Sequence, residues 1–232
     1  MLRRVRDRIR RRVEREARAL YYGFVYGRTV VPQFLASGAA RWEEARPRGD
    51  TPQTADSWDD EYRRGRWAFL SGPAERARYS VIVGVLASTP SPSVLDVGCG
   101  EGVLYQQFRP YGYSRYLGLD LSHAAIDRAA AGAGPDATFV AADAGTFQAD
   151  GPFDDIVFNE MLYYLPEPLQ AVQRYARALA PGGRIIVSTW LGSPRAVAIL
   201  RQLRESLPFV DETLVRHLGE QWKLTVFGRP EA

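Results

Sequence analysis

The chain is poor in the residues that build disulfide frameworks and metal clusters, since its 232 residues include one cysteine and two histidines. A single cysteine, Cys99, excludes an internal disulfide, and we expect no bound metal. No apolar run approaches the ~20 residues that span a bilayer. The N-terminus also lacks the apolar core of a signal peptide, which predicts a cytoplasmic protein.

Lysine is nearly absent, because Lys223 is the only one and the other 29 basic residues are arginines. This bias is typical of a genome-wide composition, so a single arginine carries little information about a site. Nine arginines among residues 1–18 give that segment a net charge of +6, which leaves −3 for residues 19–232. A mildly acidic main domain argues against nucleic acid as a partner.

The length of 232 residues and the hydrophobic content of 46% are typical of one α/β domain with an appendage. We assign residues 1–57 to a basic helical extension with a linker, and residues 58–232 to the main domain. Apolar residues recur in the extension at steps of three or four, at Leu2, Val5, Ile9, Val13, Ala17 and Leu20. Two roles stay open for residues 1–35: peripheral contact with the inner face of a membrane or a second copy of the chain, and packing on the chain's own domain.

Residues 94–102 read Val-Leu-Asp-Val-Gly-Cys-Gly-Glu-Gly, which predicts a buried parallel strand followed by a turn. Gly98, Gly100 and Gly102 remove side chains from this glycine turn (residues 98–102), so a ligand can approach the backbone closely. We expect a helix to begin at about Val103, with its unpaired amides at the carboxyl end of the sheet. Such a turn is typical of a nucleotide-like cofactor site.

Three predicted strands end in a carboxylate, at Asp96, Asp120 and Asp143. Asp120 follows Gly98 by 22 residues, the spacing at which the acid of a Rossmann unit accepts hydrogen bonds from a ribose diol. Glu101 in the glycine turn would repel the pyrophosphate of a dinucleotide at the helix start. A cofactor with a cationic amino-acid end suits the turn better, which favours S-adenosylmethionine over a nicotinamide dinucleotide.

Five stretches, in their order and spacing, resemble the motifs of class I S-adenosylmethionine-dependent methyltransferases: 94–102, Asp120, Asp143, 153–160 and 179–184. The resemblance covers roughly residues 75–190. Trp58, Tyr62, Trp67 and the Asn-Glu-Met-Leu-Tyr-Tyr run are similar to a small-molecule branch that includes nodulation-factor N-methyltransferases and sugar methyltransferases. The resemblance implies a Rossmann-like α/β fold, with a seven-stranded, mostly parallel sheet, helices on both faces and a final antiparallel hairpin.

The resemblance also implies which residues bind the cofactor. Asp143 would accept a hydrogen bond from the amine of adenine, and the Ala144 amide would meet a ring nitrogen. A structural role at the strand end is the alternative for Asp143. The other expected contacts lie in the glycine turn and at the strand ends, at Asp96, Gly98, Cys99, Gly100, Asp120, Leu121 and Asn159. Within this set, Cys99 is expected to be a small packing residue and not a nucleophile.

Glu160 follows the fourth predicted strand, where by resemblance a methyl acceptor meets the sulfonium group. It is the best-placed ionisable group for a general base or for orienting the acceptor. Its alternative role is to cap the next helix. Tyr163 and Tyr164 offer hydroxyl groups to the same pocket, although one of the two is expected in the core. We take Tyr163 as the second catalytic candidate.

The main domain is expected to comprise a lid with the first helices (58–87), a cofactor-binding core (94–190) and a C-terminal helix with a hairpin (191–232). The three aromatic residues of the lid would cap adenine or line the acceptor pocket, or else pack as core. The expected reaction is methyl transfer to an oxygen or nitrogen of a small molecule, with a sugar or glycolipid-like acceptor first. The alternatives are a non-catalytic binding protein of the same fold and a nicotinamide-dependent oxidoreductase.

Overall fold

A central sheet organises the computed structural model, which describes residues 54–218 and 220–230. Within these residues the strands are β1 Ser93–Val97, β2 Arg115–Asp120, β3 Ala137–Ala141, β4 Phe153–Asn159, β5 Leu179–Trp190, β6 Phe209–His217 and β7 Glu220–Gly228. The helices are α1 Ala55–Arg63, α2 Pro73–Leu86, α3 Val103–Phe108, α4 His123–Ala131, α5 Pro168–Ala176 and α6 Pro194–Ser206. Short 3₁₀ helices span Ala68–Ser71, Arg109–Tyr111 and Leu162–Tyr164.

The chain divides into two units, and the larger one, Gly49–His217 with Gln221–Ala232, holds nearly all of the described residues. The helical extension and linker predicted for residues 1–57 lie outside the described residues, except for positions 54–57. The apolar stripe of that extension and its predicted contacts therefore stay predictions.

The strand order is β3-β2-β1-β4-β5-β7-β6 in the described part of the chain. Val94 of β1 lies opposite Tyr116 of β2 and Asp155 of β4, and both pairings are parallel. β2 with β3 and β4 with β5 are also parallel, whereas β7 runs antiparallel to β5. The predicted seven-stranded, mostly parallel sheet is thus confirmed. Its parallel strands bring the carboxyl ends of β1 to β4 to one edge, where open α/β sheets bind ligands.

Alternate residues of each strand enter two different cores, because successive side chains point to opposite faces of a sheet. Val94 and Val157 join one core, which α2 and α3 cover. Leu95 and Phe158 join the other core, which α5 and α6 cover. These four side chains are fully buried, and each such burial stabilises the fold by about 1.5–3 kcal/mol. Helices therefore cover both faces of the sheet, as predicted.

The helix starts follow from local capping chemistry. Thr54 begins α1 with a capping box, since its side chain accepts from the Ser57 amide and the Ser57 side chain accepts from the Thr54 amide. α3 begins at Val103, as predicted, directly after a glycine with φ +75°. A serine directly before a helical pattern predicts a cap, and Ser122 does cap α4 by accepting a hydrogen bond of 3.1 Å from the Ala125 amide.

Two strands are longer than the sequence pattern indicates. The sequence pattern indicates a strand from Arg184, but β5 begins at Leu179, which pairs with Phe153 before the register shifts. The Pro-Gly-Gly run that reads as a turn is thus an irregular part of the strand. β6 extends over Phe209–His217, where the sequence indicates only residues 213–215. β6 lies at the edge of the sheet with mostly exposed side chains, so hydrophobic alternation gives little signal there.

None of the helices in residues 54–218 and 220–230 is long and apolar enough to cross a bilayer. The same residues contain no group of three or more His, Cys, Asp or Glu side chains arranged to hold a metal ion.

Candidate functional site

The glycine turn follows β1 with three left-handed residues, since φ is +75° at Gly98, +55° at Gly100 and +75° at Gly102. Two neighbouring side chains lie directly against it. A Cβ atom at Gly98 would lie 2.8 Å from the Cβ of Met161, and one at Gly100 would lie 2.8 Å from the hydroxyl of Tyr62. The turn therefore requires glycine both for its backbone conformation and for the close approach of its neighbours.

Asp120 lies at the end of β2, next to the glycine turn. Its Oδ2 atom accepts a hydrogen bond of 3.0 Å from the Gly100 amide, and its Oδ1 atom accepts one of 2.9 Å from the Ser122 amide. Burial raises the pKa of this carboxyl, and the hydrogen bonds from backbone amides oppose that rise. A carboxylate offers about four lone-pair sites, so Asp120 retains capacity to accept from the hydroxyls of a ligand.

Asp96 is the most buried acid of the site, with 1% of its surface exposed. Its Oδ2 atom accepts a hydrogen bond of 2.7 Å from the Tyr116 hydroxyl, whereas Oδ1 has no partner among the described residues. Burial raises the pKa of Asp96 to about 7. A buried acceptor without a partner is costly, and a ligand that donates to Oδ1 would remove that cost.

Cys99 is buried inside the glycine turn. Its sulfur lies 2.9 Å from where a Cβ atom of Gly118 would stand, so it fills the space beside that strand glycine. Burial raises the pKa of the thiol well above its usual value, which keeps it protonated. This environment is typical of a packing residue and not of a nucleophile.

The residues expected around adenine follow β3. The exposed carboxylate of Asp143 accepts from the Gly145 amide at 2.7 Å, which closes a local turn. Ala144 is buried, and its carbonyl accepts from Arg174 at 2.8 Å and from the Tyr175 hydroxyl at 3.1 Å. Both the adenine role and the structural role of Asp143 are compatible with this geometry. Leu121 is half-buried directly after β2, at the same edge of the sheet.

Asn159 and Glu160 lie at the end of β4, next to the end of β1 in the sheet. Glu160 adopts a left-handed conformation with φ +57°, which is uncommon for a residue other than glycine. Its carboxylate accepts from the Ser188 hydroxyl at 2.8 Å and from the Trp190 amide at 3.1 Å. Glu160 thus connects the loop after β4 to β5 through two hydrogen bonds. It does not cap the following 3₁₀ helix, so that alternative was wrong.

Burial raises the pKa of Glu160 to about 7, although the charge of Arg78 and the two hydrogen bonds oppose the rise. A carboxyl group with this pKa can hold or release a proton near neutral pH, as a general base requires. The same carboxylate also holds the loop after β4 in place through its two hydrogen bonds to β5.

Arg78 was missed by the sequence analysis, which treated individual arginines as uninformative. It is 1% exposed, and its guanidinium group donates to Glu75 from Nε at 3.1 Å and from Nη2 at 2.7 Å. Nη1 donates to Oδ1 of Asn159. A guanidinium group has five N–H donors, these bonds use three of them, and a side-chain hydrogen bond also links the group to Tyr79. The site therefore contains a buried positive charge at the end of β4.

The two tyrosines after β4 have different surroundings. Tyr163 packs against the core under α5 and α6, and burial raises the pKa of its hydroxyl well above the usual value. Tyr164 instead meets Trp58 of α1 edge to face, with ring centroids 5.0 Å apart. Tyr164 is thus the tyrosine that contacts the lid segment, whereas the sequence analysis took Tyr163 as the second catalytic candidate.

The aromatic residues of the lid segment form a cluster with Tyr164. Trp58 lies 5.5 Å from Trp67 and 6.5 Å from Tyr62, measured between ring centroids. Trp58 and Trp67 are only half-buried, and the indole N–H of Trp67 has no partner among the described residues. Packing alone accounts for the contacts, but half-buried aromatic surface with an unused donor is also typical of a ligand-binding face.

Glu101 does not carry the free negative charge that the sequence analysis expected to repel a pyrophosphate. Its carboxylate forms an ion pair with Arg128 of α4, so its charge is compensated. Repulsion of a pyrophosphate by Glu101 is therefore not a sound reason for preferring S-adenosylmethionine.

A family model described as a methyltransferase domain matches residues 53–228. The match covers most of the chain, so the chain belongs to this methyltransferase family. The predicted assignment to the class I S-adenosylmethionine-dependent methyltransferases is confirmed at this level.

Curated relatives and solved structures agree with this assignment. Nodulation protein S of Rhizobium tropici is 33% identical over 126 residues, which cover 52% of this chain and 52% of that protein. A ubiquinone biosynthesis O-methyltransferase of Ralstonia nicotianae is 36% identical over 101 residues, which cover 41% and 42% of the two chains. The matched part of the chain thus spans about half the length of these curated relatives, or less.

A crystal structure of the N-methyltransferase NodS from Bradyrhizobium japonicum WM9, in complex with S-adenosylhomocysteine, is similar in fold. The sequence identity is 26%, the TM-score is 0.63, and the match covers 71% of this chain and 92% of that one. The family and this likeness favour a methyltransferase over the nicotinamide-dependent oxidoreductase that was considered as an alternative.

Proposed function

We propose that the chain transfers a methyl group from S-adenosylmethionine to an oxygen or nitrogen of a small molecule, with a sugar or glycolipid-like compound as the first candidate. The observation that carries this proposal is the arrangement of Asp96, Asp120 and Arg78 around one glycine turn and the adjoining strand end. Two carboxylates and a guanidinium group are complementary to the ribose hydroxyls, the ammonium group and the carboxylate of a nucleoside that carries an amino acid. The relatives methylate nitrogen in one case and oxygen in the other, by their names.

The charged groups can each meet a different part of this cofactor. The lone pairs of Asp120 would accept from the ribose hydroxyls. The unpartnered Oδ1 of Asp96 would accept from the ammonium group. The guanidinium group of Arg78 would donate to the carboxylate, beside Asn159. Asp143 and Ala144 would contact adenine, as the resemblance implies.

The cofactor, when bound, supplies a methyl group already activated by a positively charged sulfur. The contribution of the protein is then mainly to position the acceptor in line with the carbon–sulfur bond. Glu160 lies where it would orient the acceptor or take the proton that the acceptor's O–H or N–H loses. The aromatic cluster of Trp58, Trp67 and Tyr164 would form an apolar wall of the acceptor pocket, which suits the flat face of a sugar ring.

The proposal is tested in two steps. Calorimetry should show binding of S-adenosylmethionine and S-adenosylhomocysteine but not of NADH. The protein is then incubated with methyl-labelled S-adenosylmethionine and a panel of sugars, amino sugars and phenols, with the Asp120→Ala variant as the control. Label transfer by the parent protein alone supports the proposal. Tight binding without transfer to any acceptor would favour the non-catalytic binding protein, and absence of binding would contradict the cofactor assignment.

A further inference from the structure

Asp59 is an acidic residue of the lid helix α1 that is almost completely buried, with 5% of its surface exposed. Its Oδ1 atom accepts a hydrogen bond of 2.6 Å from the Ser122 hydroxyl and one of 3.0 Å from the Ala124 amide. Its Oδ2 atom accepts from Arg63 at 2.9 Å. The carboxylate thus sits at the N-terminus of α4, where a negative charge is favourable.

These bonds continue into the cofactor site. The amide of Ser122 donates to Oδ1 of Asp120, and Oδ2 of Asp120 accepts from the Gly100 amide. An unbroken series of hydrogen bonds therefore runs from Asp59 through Ser122 and Asp120 to the glycine turn. Asp59 on the lid helix is in this way connected to Asp120, the carboxylate that is proposed to bind the ribose hydroxyls.

A second tie holds α1 in the same place. The Arg128 side chain donates to the Tyr62 carbonyl at 3.1 Å and also pairs with Glu101 of the glycine turn. The Tyr62 hydroxyl lies against Gly100, as described above. α1 therefore lies against the glycine turn through Tyr62, and Arg128 links it both to α4 and to Glu101.

From this arrangement we infer that Asp59 is a positioning residue that latches α1 onto α4 and thereby sets how long the cofactor and its demethylated product stay bound. The inference rests on the proposed function, because it takes S-adenosylmethionine as the ligand of the glycine turn. It goes further by assigning the residence time of that ligand to a side chain outside the turn. The competing explanation is that Asp59 only stabilises the first turn of α4.

The chain offers matched controls for both explanations. Asp60 is the next residue of α1, and its ion pair with Arg64 is half-exposed. Asp60→Ala therefore removes a carboxylate of the same helix without touching α4. Ser193 caps α6 by accepting from the Ala196 amide at 3.2 Å, so Ser193→Ala weakens a helix cap away from the glycine turn.

The experiment measures the dissociation rate of S-adenosylhomocysteine by stopped-flow fluorescence, with Trp58 and Trp67 of the lid segment as reporters. We expect Asp59→Ala to raise this rate at least about tenfold, while Asp60→Ala and Ser193→Ala leave it within about twofold of the parent. Because the latch acts through Ser122, the Asp59→Ala/Ser122→Ala double variant should dissociate no faster than Asp59→Ala alone. Thermal unfolding reports the stability of each variant separately.

An unchanged dissociation rate in folded Asp59→Ala would overturn the inference, and so would an equal increase in Ser193→Ala. If Asp59→Ala does not fold, Ser122→Ala replaces it, because this change removes the hydroxyl that donates to Asp59, and Ser193→Ala controls for the helix cap that is lost with it. A faster rate in this variant supports the latch and a parental rate contradicts it. A parent protein that binds no S-adenosylhomocysteine would contradict the proposed function itself, whereas normal binding with an ineffective Asp59 substitution contradicts only the latch.

Discussion

Arg78 donates a hydrogen bond from Nη1 to Oδ1 of Asn159, a residue 81 positions later in the chain. The same guanidinium group holds Glu75 with two further hydrogen bonds and lies 4.5 Å from the ring centre of Tyr79. The contact joins α2 to the end of β4, where the cofactor and the methyl acceptor are proposed to meet. A buried cation therefore holds α2 against the end of β4.

Replacing Arg78 should be much more costly than replacing an exposed arginine in an ion pair. Arg78→Met leaves the half-buried carboxylate of Glu75 and the half-buried side-chain carbonyl of Asn159 without their donor, and we expect it to lower the free energy of unfolding by about 3 kcal/mol. Arg64→Met breaks the half-exposed pair with Asp60 and should cost about 0–1 kcal/mol. Urea unfolding of the two variants measures both values. Similar losses of unfolding free energy in the two variants would show that the buried contact stabilises the fold no more than the exposed pair does.

Gly100 should tolerate a side chain less well than Gly65, although both have left-handed backbones, with φ +55° and +67°. A Cβ atom at Gly65 meets nothing within 4 Å, whereas one at Gly100 meets the Tyr62 hydroxyl at 2.8 Å. Both alanine variants should lose about 1–2 kcal/mol of stability from backbone strain. Only Gly100→Ala should also lose affinity for S-adenosylhomocysteine, by about tenfold or more in calorimetry. Equal affinities in the two variants would argue against a ligand on the turn.

Much of this fold could be predicted because it depends on local patterns. The run at 94–102 specifies a buried strand and a turn, and Ser122 is a cap by its position before a helical pattern. The sequence could not show which arginine is buried, because 29 arginines share one composition bias. Arg78 acquires its role only when β4 brings Asn159 beside α2, which depends on the sheet topology.

The contacts of acidic residues were also hard to predict, because each depends on a partner distant in sequence. Glu101 was interpreted as a free charge, yet its carboxylate pairs with Arg128 of α4. Asp59 gives no sequence signal at all, since it lies in a charged stretch of α1 and binds Ser122, 63 positions away. The acidic positions at the ends of β1 and β2 could be predicted from the sequence, but the contact of the lid helix with the residue after β2 could not.

Asp120 should be essential for cofactor affinity. Asp120→Ala removes the proposed acceptor of the ribose hydroxyls and the acceptor of the Gly100 and Ser122 amides. Each hydrogen bond to a charged group contributes about 1.5–3 kcal/mol, so the dissociation constant of S-adenosylhomocysteine should rise by about tenfold to a hundredfold or more. Calorimetry provides the measurement. Asp127→Ala, which removes an exposed carboxylate of α4, is the control and should bind like the parent.

Glu160→Gln separates the proposed chemical role of this residue from its structural role. The glutamine can still accept one hydrogen bond from β5, so the loop after β4 should keep its position. If Glu160 takes a proton from the acceptor, the methyl-transfer rate should fall by ~10²-fold or more while cofactor affinity stays within a few-fold. Once an acceptor is identified, single-turnover measurements with labelled cofactor give the rate. A rate close to that of the parent would leave Glu160 only its structural role.

The buried carboxyl of Asp96 should make the stability of the protein depend on pH in a defined direction. Burial raises its pKa from 3.8 to about 7, so the native state keeps the proton at pH values where the unfolded state has lost it. The contribution of this group to stability is therefore complete below about pH 4 and decreases as the pH rises to about 7.

Asp96→Asn removes this contribution while an amide oxygen can still accept from the Tyr116 hydroxyl. The free energy of unfolding of the variant, relative to the parent, should therefore increase with pH between about 4 and 7, by up to about 1.4 kcal/mol per pH unit, and then stay constant. Urea unfolding of both proteins at several pH values across this range measures the difference. Other groups titrate in both proteins, so their contributions to the difference in unfolding free energy largely cancel. A difference that does not change with pH would mean that Asp96 has the same pKa in the native and unfolded states, so that burial does not destabilise its charged form.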